Sequence, residues 1–158
     1  MAAASPPEGL GLPELLLLAT RVVFERARAA LDEQGVALRP AHGYTFQLLA
    51  STGGATGDQV AEHLGVTKQA ASQLLEGLER SGHVVRRPHP GNHRARIAVL
   101  TDAGWSAIRA GTAAWTAVEQ DAARLLGPDR LGELRQALAE IAADGGALTP
   151  PLRLRPVW

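Results

Sequence analysis

The stretch "TGDQVAEHLGVTKQAASQLLEGLERSG", Thr56 to Gly82, constrains this chain more than any other. Thr56 and Gln59 have the spacing of a capping box, in which a hydroxyl and an amide side chain satisfy each other's free backbone N–H groups at a helix start. The short helix they open ends at Gly65, and a second begins after a turn of three to four residues with Thr67 as N-cap. In that second helix Ala71, Leu74, Leu75 and Leu78 recur at spacings of three and four, the stripe of a helix packed on a core. Ala61 is small where the two helices must cross, and Val60, Leu64, Val66, Ala71 and Leu74 supply an apolar interior. The spacing predicts a helix-turn-helix.

Directly behind it, "HVVRR" and "RARIAVL" read as two strands joined by the turn formers "PHPGNH". In the second strand Ile97 and Val99 are expected on one face and Arg94 and Arg96 on the other. Such a hairpin is a wing. Helices are expected on both sides: about Pro13 to Gln34, closed by Gly35; from Pro40 to the loop "STGGATG"; about Asp102 to Leu126, capped by Thr101; and from Pro128 to about Ala143. Ile108, Trp115 and Ala122 repeat every seven residues, as do Gly111, Val118 and Leu125, and Leu131, Leu134, Leu138 and Ile141 extend the apolar theme. A seam of that length exceeds what the winged unit could cover, which points to a second subunit.

The expected fold is therefore mainly α with a small β-hairpin wing: a winged helix-turn-helix core plus N- and C-terminal dimerisation helices. Residues 1–9 form an N-terminal tail, 10–50 the N-terminal helices, 51–101 the DNA-binding unit, 102–144 the C-terminal helices and 145–158 a C-terminal tail. The tail's "TPPLRLRPVW" either docks its apolar groups on a partner subunit or hangs free.

The polar side of the second helix, Lys68, Gln69, Ser72 and Gln73, carries hydrogen-bonding groups and no negative charge. The 158-residue chain has zero net charge, yet between Thr67 and Thr101 six Lys and Arg face only two Glu. An excess of four positive charges beside an amide-rich helix face suits a duplex, because cations hold phosphates while Gln, Ser and Lys address base edges in the major groove. Gln69, Ser72 and Gln73 are the base-reading candidates, and Thr67 and Lys68 are expected at phosphate. Arg86 and Arg87 either contact the backbone or guard the strand as charged edge residues.

The segment "VAEHLGVTKQAASQLLEGLERSGHVVRRPHPGNHRARIAVLTDAGW", Val60 to Trp105, resembles the core of the MarR family, dimeric winged-helix transcription factors. The resemblance rests on "LGVTKQAASQLLEGLE" followed by glycine, the arginine-bearing hairpin and "LTDAG" at the start of the long helix. It implies that Thr67 to Arg80 is the recognition helix and that Arg94, with Arg96 nearby on the wing, reaches a minor groove. Where the family usually has Asp two residues before that arginine this chain has Asn92, and His93 replaces another common arginine. Asn92 still accepts a hydrogen bond but offers no charge, which predicts a looser wing and a weaker minor-groove contact. The family's ligand cleft implies Phe24, His42, Tyr44, Phe46 and Trp105 as candidate lining, although aromatics at helical spacing also serve a core.

Other classes find little support. There is no cysteine, hence no disulfide or thiolate metal site. His89 and His93 stand in a loop beside Pro90 and Gly91, where a spacing of four does not align two ligands, so no metal and no cofactor is expected. No catalytic triad or phosphate loop stands out, and Asp58 and Asp102 read as helix-start charges. "LPELLLLA" is too short for a membrane span and the N-terminus lacks a basic signal region, so a cytoplasmic regulator is expected. Its partners would be double-stranded DNA with a pseudo-palindromic operator, a second copy of the chain and a small-molecule effector. The alternative is a winged-helix protein-interaction module without specific DNA binding.

Overall fold

The computed structural model describes residues 9–36 and 38–149, and only the backbone of residues 92–94. The side chains of Asn92, His93 and Arg94, and all but the first five residues of the 145–158 tail, lie outside the described residues. Among the described residues six helices and one hairpin follow in order: α1 (Leu12–Asp32), α2 (Pro40–Thr52), α3 (Gly57–Leu64), α4 (Lys68–Arg80), β1 (Val84–His89), β2 (Asn92–Leu100), α5 (Asp102–Leu126) and α6 (Pro128–Asp144).

Local chemistry sets the boundaries. The Thr56 hydroxyl accepts the Gln59 N–H at 3.3 Å and the Gln59 amide oxygen accepts the Thr56 N–H at 2.8 Å, so α3 opens on a complete capping box. Gly65, at φ 66°, closes α3 in the left-handed region. Thr67 caps α4 by accepting the Ala70 N–H, and Thr101 caps α5 by accepting that of Gly104. At the start of α2 the unprotonated Nδ1 of His42 accepts the Arg39 N–H at 3.2 Å, filling the role an acidic third residue usually takes.

The core lies where α2, α3, α4 and the base of the hairpin meet. Phe46, Leu49, Val60, Leu64, Ala71, Leu75, Leu78, Val84 and Ala98 are all buried there. Each large side chain among them contributes about 1.5–3 kcal/mol by leaving water. Leu74 is half-buried, and Val66 is 39% exposed rather than interior. Val66 sits in the turn itself, where its N–H returns to Ala61, so the backbone bond rather than apolar packing fixes its position.

The hairpin places Ile97 and Val99 opposite Arg96, as expected, but its two sides do not divide into an apolar face and an arginine face. Val84 pairs with Leu100 and Arg86 with Ala98, placing these four on one side of the sheet, where Val84, Ala98 and Leu100 are buried. Arg96 shares that side by register, whereas Arg87 shares the other with Ile97 and Val99. The apolar and arginine residues are thus mixed: one side of the hairpin base is buried on the core, while on the other Ile97 and Val99 are half-buried and Val85 and Arg87 exposed. The loop before α3 joins the free edge of β2, where Ala55 exchanges two backbone hydrogen bonds with Ala98 as a one-residue third strand. Gly54 permits this approach, since a Cβ there would lie 3.1 Å from both Ala98 O and Ile97 Cδ1.

The outer helices bury little in one chain. α1 packs along α5 yet contains one buried residue, Ala27, and α6 contains none among those described. Leu17, Leu18, Val22, Trp115, Leu125, Leu134, Leu138 and Ile141 remain exposed. Within the heptad seam, Val118 is buried inside the chain, whereas Trp115 and Leu125 are not. No described helix is long and apolar enough to cross a membrane.

Candidate nucleic-acid interface

The buried stripe of α4, Ala71, Leu75 and Leu78, turns the opposite side of the helix to solvent. At 100° per residue, Gln69, Gln73, Glu76 and Arg80 fall within a sector of about 60° roughly opposite that stripe, and all four are exposed. Lys68 is exposed in the first turn but lies about 80° outside that sector, and Ser72, about 40° outside it, is half-buried. The outward face therefore differs from the expected set of Lys68, Gln69, Ser72 and Gln73 by including Glu76 and Arg80. Spacings of four, three and four from Gln69 were the signal that would have found both.

Several candidate contacts already have partners in the chain. Lys68 Nζ lies 3.0 Å from Asp58 Oδ1, an exposed ion pair that spans the helix-turn-helix. The Ser72 hydroxyl donates to Glu76 Oε1 at 3.1 Å. Arg86 Nε is buried and lies 3.4 Å from Glu79 Oε2, an ion pair too long for a hydrogen bond that ties β1 to the last turn of α4. Arg96 donates to the Arg86 carbonyl at 3.1 Å. Among the described residues Gln69, Gln73, Arg80 and Arg87 have no side-chain hydrogen bond or ion pair, so these four are uncommitted.

The joint between this unit and α5 is tight. Thr101 Oγ1 donates to Gly82 O at 2.6 Å, and the Thr101 N–H donates to His83 O at 3.1 Å. Gly104 packs against the same carbonyl, where an added Cβ would lie 2.3 Å away. By contrast, a Cβ on Gly77 within α4 would meet nothing within 4 Å, so close packing does not require that glycine.

A cleft of about 950 Å³ lies between α1, α2 and α5. Of the aromatic candidates, Phe24 and Tyr44 line it. Phe46 is 1% exposed in the core beside His83, while His42 and the exposed Trp105 are not among the lining residues. Trp115 and Arg39, absent from the expected set, do line it. Phe24 meets Trp115 edge to face at 5.3 Å. No local pattern in the sequence would have joined these residues, because they come from three elements far apart in the chain. Burial pushes the Tyr44 phenol above its ordinary pKa, which keeps it a neutral O–H donor. Burial first, then Arg39 and His83, hold the His42 imidazole below its ordinary value. Among the described residues no three His, Asp or Glu side chains form a metal-binding group.

Comparison with known proteins adds to this geometry. A sequence model of the MarR family matches residues 38–95, from the residues before α2 into the wing. The transcriptional repressor CouR bound to a 23-mer DNA duplex is 28% identical with a TM-score of 0.72, covering 88% of this chain and 99% of that one. CouR bound to p-coumaroyl-CoA is likewise 28% identical, with a TM-score of 0.67 and coverage of 84% and 91%. MepR, a transcription regulator of the Staphylococcus aureus multidrug efflux pump MepA, shares the fold at 20% identity and a TM-score of 0.71, with coverage of 85% and 98%. A search of curated protein sequences finds no match. The helix-turn-helix with its hairpin, the matched segment and the common fold lead to one conclusion: over residues 38–95 the chain is similar to the MarR family, and its fold is that of the transcriptional regulators CouR and MepR.

Proposed function

We propose that this protein is a homodimeric, sequence-specific double-stranded DNA-binding repressor of transcription, working in the cytoplasm without catalysis and released from its operator by a small anionic aromatic ligand. The observation that carries this reading is the solvent-facing side of α4, where Gln69 and Gln73 stand one turn apart with unspent amide groups beside the hairpin. An amide pairs bidentately with adenine, so these two residues suit base reading. Thr67 and Lys68 suit phosphate at the helix start, Lys68 exchanging Asp58 for the backbone. Arg87, exposed and uncommitted, suits phosphate from the wing, with Arg94 and Arg96 further along β2. Arg86 serves chiefly to hold the hairpin on α4 through Glu79. Ser72 acts together with Glu76.

The exposed apolar faces of α1, α5 and α6 support a second copy as partner, since contiguous apolar surface left in water marks an interface. A two-fold dimer would read a pseudo-palindrome with half-sites about 34–36 Å apart. The cleft supports a ligand with an apolar body and an acidic group, placing Phe24, Tyr44 and Trp115 against the former and Arg39 near the latter. CouR, 28% identical, binds both a DNA duplex and p-coumaroyl-CoA, which favours the same division of labour here. A ligand that binds the DNA-incompetent spacing more tightly releases the operator by that difference in affinity.

The test is fluorescence anisotropy of purified protein on the intergenic DNA upstream of its own gene, at two salt concentrations, against a scrambled duplex. Tight, salt-sensitive and selective binding is expected. Equal binding to both duplexes would remove sequence specificity. No binding at low salt would transfer the fold to protein interaction.

A further inference from the structure

Glu76 is a carboxylate in the middle of a surface that otherwise suits a polyanion. It lies between Gln73 and Arg80 on the outward line of α4, is exposed, and has no ion-pair partner among the described residues. The other acidic residue of the helix, Glu79, is turned toward Arg86 and the hairpin. Among the described residues the hydroxyl of Ser72, one turn earlier, is the one group that engages Glu76.

We propose that Glu76 is a specificity-determining residue that selects cytosine in the major groove, with Ser72 as its positioning partner. This rests on the reading of α4 as the DNA-contacting helix. A carboxylate near phosphates is repelled, and at a base edge it can only accept hydrogen bonds. Guanine presents two acceptors in the major groove, and thymine presents an acceptor beside a methyl group. Adenine offers an amine, but its N7 lone pair adjoins it. Cytosine offers its N4 amine with no acceptor of its own beside it, and so satisfies the carboxylate best.

The Ser72 contact sharpens the choice. Because its proton is donated to Glu76, the serine oxygen has only acceptor capacity left, and the pair together presents acceptors alone. The bond also limits the rotamers of an otherwise free glutamate, lowering the entropy lost on contact. Gln69 and Gln73 tolerate several edges, since each amide both donates and accepts. Glu76 supplies the discrimination they lack: it rewards one base and penalises the rest, together with any non-specific docking against the backbone.

The test is selection of bound sequences from duplexes with a randomised 20-base-pair centre, run in parallel with the wild-type, Glu76→Gln and Ser72→Ala dimers, with thermal melting of each as a folding control. Wild-type protein is expected to enrich a palindromic motif containing cytosine at a symmetry-related pair of positions. In E76Q the cytosine preference there should fall by roughly fivefold or more, while affinity for a scrambled duplex rises. Partial loss at the same positions is expected for S72A. An unchanged motif in E76Q would overturn the role of Glu76 while leaving DNA reading intact. So would a wild-type motif whose only E76Q-sensitive positions lack cytosine. No enrichment by the wild-type protein would overturn the DNA reading and this inference with it.

Discussion

Gly104→Ala sets two magnitudes against each other. Gly104 lies in the first turns of α5, where alanine is favoured over glycine by about 1 kcal/mol on helix propensity alone. Packing opposes this, because the new Cβ would sit 2.3 Å from His83 O and 2.9 Å from Leu100 Cδ2. The nearer atom belongs to the backbone and accepts the Thr101 N–H, so it cannot swing aside as a side chain could. Overpacking of this kind costs about 1–3 kcal/mol. Retreat of the 82–83 turn would also weaken the two hydrogen bonds that Thr101 makes to Gly82 and His83, each worth about 1 kcal/mol. The net expectation is a loss of about 2–3 kcal/mol after the propensity gain. In urea, with a slope of about 2 kcal/mol per molar, the midpoint should fall by about 1–1.5 M at fixed protein concentration. Gly77→Ala, which meets open space, provides the opposite sign and should gain about 0.5–1 kcal/mol. A midpoint for Gly104→Ala equal to or above wild type would refute the argument that this glycine is required by contact between the winged unit and α5.

Between the folded and unfolded pKa values of His42 the folded chain binds fewer protons, so stability is full above the ordinary value of 6.5 and declines as pH falls below it. His42→Gln should flatten that decline, read from urea midpoints at about pH 7.5 and about pH 5; an equal decline in the variant would remove His42 as its source. Arg87→Ala should weaken DNA binding and make the salt slope shallower by about one unit, whereas Arg86→Ala should chiefly lower the melting temperature, because Arg86 is tied to Glu79. A reversed pattern would reassign the two arginines. Binding of the anionic aromatic probe anilinonaphthalene sulfonate should weaken about tenfold in Trp115→Ala, in keeping with about 1.4 kcal/mol of lost ring contact; unchanged binding would place the probe outside the cleft.

The helix-turn-helix was legible in the sequence because its causes are local. Thr56, Gln59, Gly65 and Thr67 act within four residues of themselves, and the α4 stripe needs only the helical period. The hairpin was legible as two strands with Ile97 and Val99 opposite Arg96, but which of its sides is buried was not. Alternation gives which residues share a side and is silent on which side is covered, and the loop that joins the edge of β2, Gly54 and Ala55, lies more than forty residues away. Similarly, Phe46 and Tyr44 both read as aromatic candidates for a cleft, two residues apart on α2. Packing sent one into the core and left the other beside Phe24 and Trp115.

The sequence by itself determined where helices start and stop, that a reading unit precedes a basic hairpin, and which family the chain resembles, since caps, periods and motifs act over a few residues. Only the tertiary structure decided which arginine is free and which is tied, which glycine is required by contact, and which side chains from α1, α2 and α5 share one cleft. Those outcomes depend on atoms meeting across long stretches of chain, and no local pattern of residues encodes the distance between them.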